Sequence, residues 1–201
     1  MSDISKLLSF IEFTKKFKEV ERAIIWKHDN RKENDSEHSF QLALVGWYVA
    51  ETNKLNLNSD AIIRYALVHD LVEIYAGDTP IHTEDNEYKE SKHAREEEEA
   101  LIQIEKELKE FPELTEWIKK YETREDEEAR FVYALDKLIP VINIYLDKGH
   151  SWHKNSITYT MLINNKEDKI ALSPEIAHYW ELLKDILKKD AKWLFPDDTL
   201  S

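Results

Sequence analysis

Three stretches of helical length limit what this chain can become: residues 36–53, 60–75 and 126–147. Each is apolar round most of the helical circumference, as in QLALVGWYVA (41–50), AIIRYALV (61–68) and FVYALDKLIPVINIYL (131–146). Such helices lack a solvated face and belong inside a domain, buried all round and packed against one another. Yet these stretches also carry His38, His69, Asp70, Glu73 and Asp136. A carboxylate buried alone among aliphatic side chains is costly, so it must be paired, protonated or bound to a cation.

The remaining segments fit round that core. Ile4, Leu7, Leu8 and Ile11 have helical spacing within residues 3–19. KHDNRKEND (27–35) reads as a polar connection, with Asp35 or Ser36 capping the next helix. Residues 91–110 keep a narrow apolar stripe of Leu101, Ile104 and Leu108, and AREEEE (94–99) reads as a solvated face. Residues 113–121 make a short helix, and DKGHSWHKN (147–155) a loop whose His150 and His153 are incidental rather than a second metal site. Ser173-Pro174 opens a last helix, about 173–194, with proline in its first turn. With only 3 glycines and 5 prolines among 201 residues, the expectation is an all-α bundle of about six to eight helices. A single domain over 1–201 is expected, its core at about 22–145.

Composition removes several functions. A formal charge of −13 argues against a nucleic-acid partner, which needs a basic face. Cys 0 excludes disulfides, thiolate metal sites and cysteine nucleophiles. The start, MSDISKLLSFIEF, lacks a basic signal-peptide region, and no run of 18 apolar residues offers a membrane span. A soluble, cytoplasmic protein is expected.

The dipeptide His-Asp occurs at 28–29 and 69–70. The first lies in a polar connection and needs only solvent. The second lies in an apolar helix, where a divalent cation compensates both side chains. Helical spacing puts His69 and Glu73 on one face, and Asp70 with Glu73. Taken singly, His38 reads as a hydrogen-bonded core histidine and Asp136 as an ion pair with Lys137. Taken together, three core helices each contribute a ligand-type residue, in the order H…HD…D.

That order, with the words NDSEHSFQLALV, ALVHDLVEIYAGDTP and EEARFVYALDKL, resembles the HD-domain phosphohydrolases. Within them it is similar to the short 5′-nucleotidases acting on deoxyribonucleoside 5′-monophosphates. The resemblance covers about Arg22 to Tyr145 and implies a helical fold, phosphomonoester hydrolysis and a homodimer. It implies His38, His69, Asp70 and Asp136 as metal ligands and Glu73 and Asp78 as catalytic carboxylates. Arg22 or, given the spacing to His38, Arg31 would contact phosphate. Two imidazoles and two carboxylates suit one divalent ion, Mn²⁺ or Co²⁺ first, with Mg²⁺, Fe²⁺, Ni²⁺ and Zn²⁺ also accepted. Two alternatives stand beside this: a dNTP (tri/pyro)phosphohydrolase of the same fold, and a non-catalytic metal- or nucleotide-binding module. The surroundings of the motifs are not notably basic, which favours a monophosphate over a polyphosphate.

Overall fold

The computed structural model describes residues 3–77 and 86–196, with backbone alone for 86–91 and 93. Asp78, expected as a catalytic carboxylate in the GDTP turn, lies outside the described residues. In chain order the elements are α1 (Asp3–Phe17), β1 (Glu21–Ile25), β2 (Lys32–Asn34), α2 (Asp35–Thr52), α3 (Ser59–Val68) and α4 (Glu73–Ala76). There follow α5 (Asn86–Glu107), α6 (Pro112–Thr123), α7 (Glu127–Leu146), α8 (His150–Lys154), α9 (Tyr159–Ile170) and α10 (Pro174–Leu194). Among the described residues no helix is long and apolar enough to cross a membrane.

The polar connection at 27–35 is part of an antiparallel hairpin, with Glu21 opposite Asn34 and Ile25 opposite Lys32. The Trp26 N–H donates to the Arg31 carbonyl at 2.8 Å, and Asn30 turns the chain at φ 56°, a conformation asparagine tolerates. The cap of α2 is therefore Asn34, not Asp35 or Ser36. Its side chain accepts from the Glu37 N–H while Glu37 reaches back, a reciprocal pair that fixes where the helix begins.

The expected single helix through 60–75 is two pieces. α3 stops at Val68, and bonds from Leu71 N–H to Val68 O and from Glu73 N–H to Asp70 O span three residues rather than four. The chain tightens there and restarts as α4. DKGHSWHKN is not all loop either: it contains α8, and α9 lies in a stretch with no clear apolar period.

Two apolar cores result. Leu42, Ile62, Tyr65, Ala66, Phe131, Leu135, Ile139, Ile170 and Trp180 belong to one, which joins α2, α3, α7, α9 and α10. Phe13, Val68, Leu71, Val72, Ile104 and Ile118 belong to the other. Ala66 lies in the first core and Val68 and Leu71 in the second, so His69 and Asp70 follow directly after the chain passes from one core to the other. At Gly46 of α2 an added Cβ would stand 2.8 Å from Ile62 Cγ2, so glycine is what lets α2 and α3 approach. α2 itself is not buried all round: Phe40 and Tyr48 are 68% and 66% exposed, and Leu44 and Trp47 share that outer face.

Candidate metal centre and cavity

Three places in the chain bring the four ligand-type side chains together. The capped start of α2 carries His38, the tight turn after α3 carries His69 and Asp70, and the middle of α7 carries Asp136. One donor atom from each lies within 4.8 Å of all the others. His38 Nε2 is 2.8 Å from Asp136 Oδ1, and His69 Nε2 is 2.8 Å from Asp70 Oδ2 and 3.8 Å from Asp136 Oδ1. The imidazole rings stand 5.3 Å apart.

These donors suit a cation. His69 Nδ1 faces the Ala66 carbonyl at 2.9 Å, so the ring proton sits on Nδ1 and the Nε2 lone pair points at two carboxylate oxygens. Lone pair against carboxylate is unfavourable unless a proton or metal lies between. An octahedral ion with bonds of about 2.1 Å sets neighbouring donors roughly 3 Å apart, close to the distances observed. On His38 the other nitrogen, Nδ1, is buried without a hydrogen bond and faces Glu33 Oε2 at 3.8 Å. A carboxylate behind a ligating histidine is the usual orienting partner.

Glu33, which sequence reasoning passed over, and Asp35, expected only as a helix cap, complete this side. Arg22, on β1, approaches Glu33 with Nε at 3.5 Å, and its Nη1 meets Asp35 at 2.9 Å and Asp70 at 2.5 Å. Burial opposes the guanidinium charge, but Asp70, Asp136 and Asp35 outweigh it and hold Arg22 firmly protonated. Burial pushes Glu33 up to about 7. Burial and then Asp70 push Asp35 up to about 6, against the pull of Arg22. Burial also works against the Asp70 and Asp136 carboxylates, yet cations hold both well below the ordinary range: His69 and Arg22 for Asp70, Lys137 and His38 for Asp136. Asp35, Asp70 and Glu73 form a second convergent group.

The cluster opens into a cavity of about 490 Å³. Arg22, His69, Asp70, Glu73 and Asp136 face it, with Tyr121, Tyr133 and Trp152 as aromatic lining. Arg124, Lys137, Lys166 and Lys169 also line it.

Comparison with known proteins agrees with this geometry. The HD-domain family profile matches residues 14–177. The chain belongs to the HD-domain family. It is 39% identical over 134 residues to the protein named 5′-deoxynucleotidase HDDC2 of Mus musculus, and 38% identical to that of Homo sapiens. The match covers 65% of this chain but 64% and 63% of those relatives, less than two thirds of their length. A solved structure described as a predicted metal-dependent phosphohydrolase from Magnetospirillum magnetotacticum MS-1 superposes with a TM-score of 0.80. It covers 97% of both chains at 28% identity.

Of the residues singled out in sequence, this HD domain gathers Arg22, His38, His69, Asp70, Glu73 and Asp136 at one place. It puts Arg31 elsewhere, half-exposed and paired with Glu37 at 2.8 Å and Asp29 at 3.0 Å. The surroundings are more basic than the motifs suggest, because α9 delivers Lys166 and Lys169 from a distant part of the chain. Glu97, from the AREEEE run expected to be solvated, also reaches the cavity.

Proposed function

We propose that this protein hydrolyses deoxyribonucleoside 5′-monophosphates to deoxynucleoside and phosphate, with one divalent ion, Mn²⁺ or Co²⁺, on His38, His69, Asp70 and Asp136. The observation that carries the reading is the convergence of two imidazole Nε2 atoms and two carboxylates beside a cavity sized for a small molecule. The deoxynucleotidase names of the relatives supply the substrate class. Bound there, the ion would neutralise negative charge on the phosphoryl oxygens and lower the pKa of water.

The chain's own residues do the rest. Glu73, half-buried on the cavity wall, takes the proton of the attacking water. Arg22 offers its remaining N–H groups to a phosphate oxygen while screening Asp35 and Asp70 from the incoming anion. Asp78, just beyond α4 in sequence, is assigned to protonate the leaving 5′-oxygen. Tyr121, Tyr133 and Trp152 give apolar faces for the nucleoside. The homodimer carried over from the resemblance would use the exposed stripe of α2, Phe40, Leu44, Trp47 and Tyr48.

One observation favours a second reading: Lys137, Lys166 and Lys169 give the cavity charge for a polyphosphate, hence a dNTP substrate releasing triphosphate or pyrophosphate. Product analysis on matched dNMP, NMP and dNTP sets separates the two. Free phosphate from dNMPs, faster than from NMPs, supports the monophosphate reading. Triphosphate or pyrophosphate from dNTPs, with dNMPs untouched, replaces it.

A further inference from the structure

Two of the cations facing the cavity are already neutralised by carboxylates. Arg22 is held by Asp35 and Asp70, and Lys137 by Asp136 at 2.5 Å. Lys166 differs. It lines the same cavity from α9, half-buried, and makes no ion pair or hydrogen bond among the described residues. The charges it feels are mostly of its own sign: Lys137, Lys169 and Arg22 disfavour its proton, and Asp136 favours it. With burial as the largest cause, its amine is brought down to about 7. Lys169 stands three residues further along α9 and lines the cavity too, so the two share a helix face.

Packing does not call for an ammonium group here. A methionine would fill a similar volume without desolvating a charge among other cations. Electroneutrality points to what does call for it. A divalent ion on two neutral imidazoles and two carboxylates leaves no net charge. An arriving phosphate monoester brings roughly 1.5 to 2 negative charges. The cations already paired cannot answer that without abandoning buried carboxylates.

We propose that Lys166, with Lys169 beside it, binds the non-bridging oxygens of the substrate's phosphoryl group, making α9 the phosphate-recognition side of the site. The assignment deepens the phosphohydrolase reading and rests on it. Lys166 thereby contributes to substrate affinity, and Glu73 to the chemical step.

Pyridoxal 5′-phosphate is the probe for the subsite, being a phosphate monoester with an aldehyde. A neutral lysine amine adds to the aldehyde and loses water to give an imine. Borohydride reduces the imine to a secondary amine that peptide mass spectrometry locates. In the full chain, metal-loaded or chelated, label should appear first in the peptide containing Lys166, and inorganic phosphate should protect it. Label spread over exposed lysines such as Lys188, with no phosphate protection at Lys166, overturns the proposal.

A kinetic test stands beside it. Lys166→Met should raise KM for a dNMP roughly 10- to 100-fold with kcat nearly unchanged, the loss of one charge-assisted hydrogen bond. Metal content should not move, and Lys166→Arg should recover most of the affinity. An unchanged KM in Lys166→Met overturns the assignment even where the wild type is active. Failure of the nucleotidase reading looks different: the wild type leaves dNMPs intact while phosphate still protects Lys166, which supports the anion subsite and removes the substrate.

Discussion

On the hairpin side of the cavity, Arg22 is clasped by Glu33, Asp35 and Asp70, and every charge has a partner of opposite sign. On the α9 side, Lys166 faces Lys137, Lys169 and Arg22, feels Asp136 as a favourable charge, and makes no ion pair among the described residues. The first wall is compensated by one guanidinium shared among three carboxylates, while burial pushes Glu33 and Asp35 up. The second carries a desolvation cost that an anion would offset. On the proposed assignment, the carboxylate-rich half would hold the metal and the α9 half would be completed by an anion.

Asp136 acts on both walls, since it lies 3.8 Å from Arg22 Nη2 and its charge favours the Lys166 proton. Asp136→Ala should therefore have the largest effect. Bound metal should fall from about one ion per chain to nearly none, and hydrolysis should drop by more than about 10³-fold. Full metal content and activity in that variant would mean the cluster is not the metal site.

Arg22→Met tests the compensated wall. It leaves Glu33 and Asp35 buried without their cation, and breaking such a group costs about 3–5 kcal/mol. The urea midpoint of the metal-free protein should fall accordingly, and added metal should restore part of it. A variant as stable as the wild type would show that Arg22 does not hold this wall together.

Lys166→Met should act in the opposite direction and more weakly. Lys166 titrates at about 7 in the fold, below the ordinary lysine value. Between that pH and about 10.5 the unfolded chain holds more protons than the native one. Wild-type stability should thus climb with pH across that window and carry the full cost below it. The variant should lack the climb and melt higher at pH 7, by on the order of 2–4 °C. Sulfate should raise the melting temperature of the wild type and leave the variant where it is. A lower melting temperature for Lys166→Met at pH 7 would assign the lysine a structural role instead.

These two walls were unequally legible in the sequence. His38, His69, Asp70 and Asp136 stand out because ionisable residues in apolar helices have few bland explanations. Glu33 and Asp35 sit in a polar run that reads as solvent-exposed. Their burial comes from the hairpin folding back, with the Asp35 N–H donating to the Val20 carbonyl, a contact no local pattern announces. Strands of five and three residues are also too short to show alternation.

α9 escapes the sequence for a related reason: INNKEDKI is polar enough to pass for a loop, and its helix is fixed by the Thr158 cap and by packing of Leu162 and Ile170. The break between α3 and α4 hides inside continuous apolar spacing, since a tightened turn leaves composition unaltered. The outer face of α2 was misread because apolar residues all round a helix do not say which side another element will cover.

The central claim is that this cluster performs metal-dependent hydrolysis with Glu73 as proton acceptor. The most direct test strips the protein of metal, adds back Mn²⁺ and follows phosphate release from a dNMP by wild type and Glu73→Ala. The account predicts no turnover without metal and restoration in the wild type. The variant should bind a normal metal complement but turn over roughly 10²- to 10⁴-fold more slowly. Turnover by the chelated wild type, or equal rates in the two metal-loaded proteins, would contradict it.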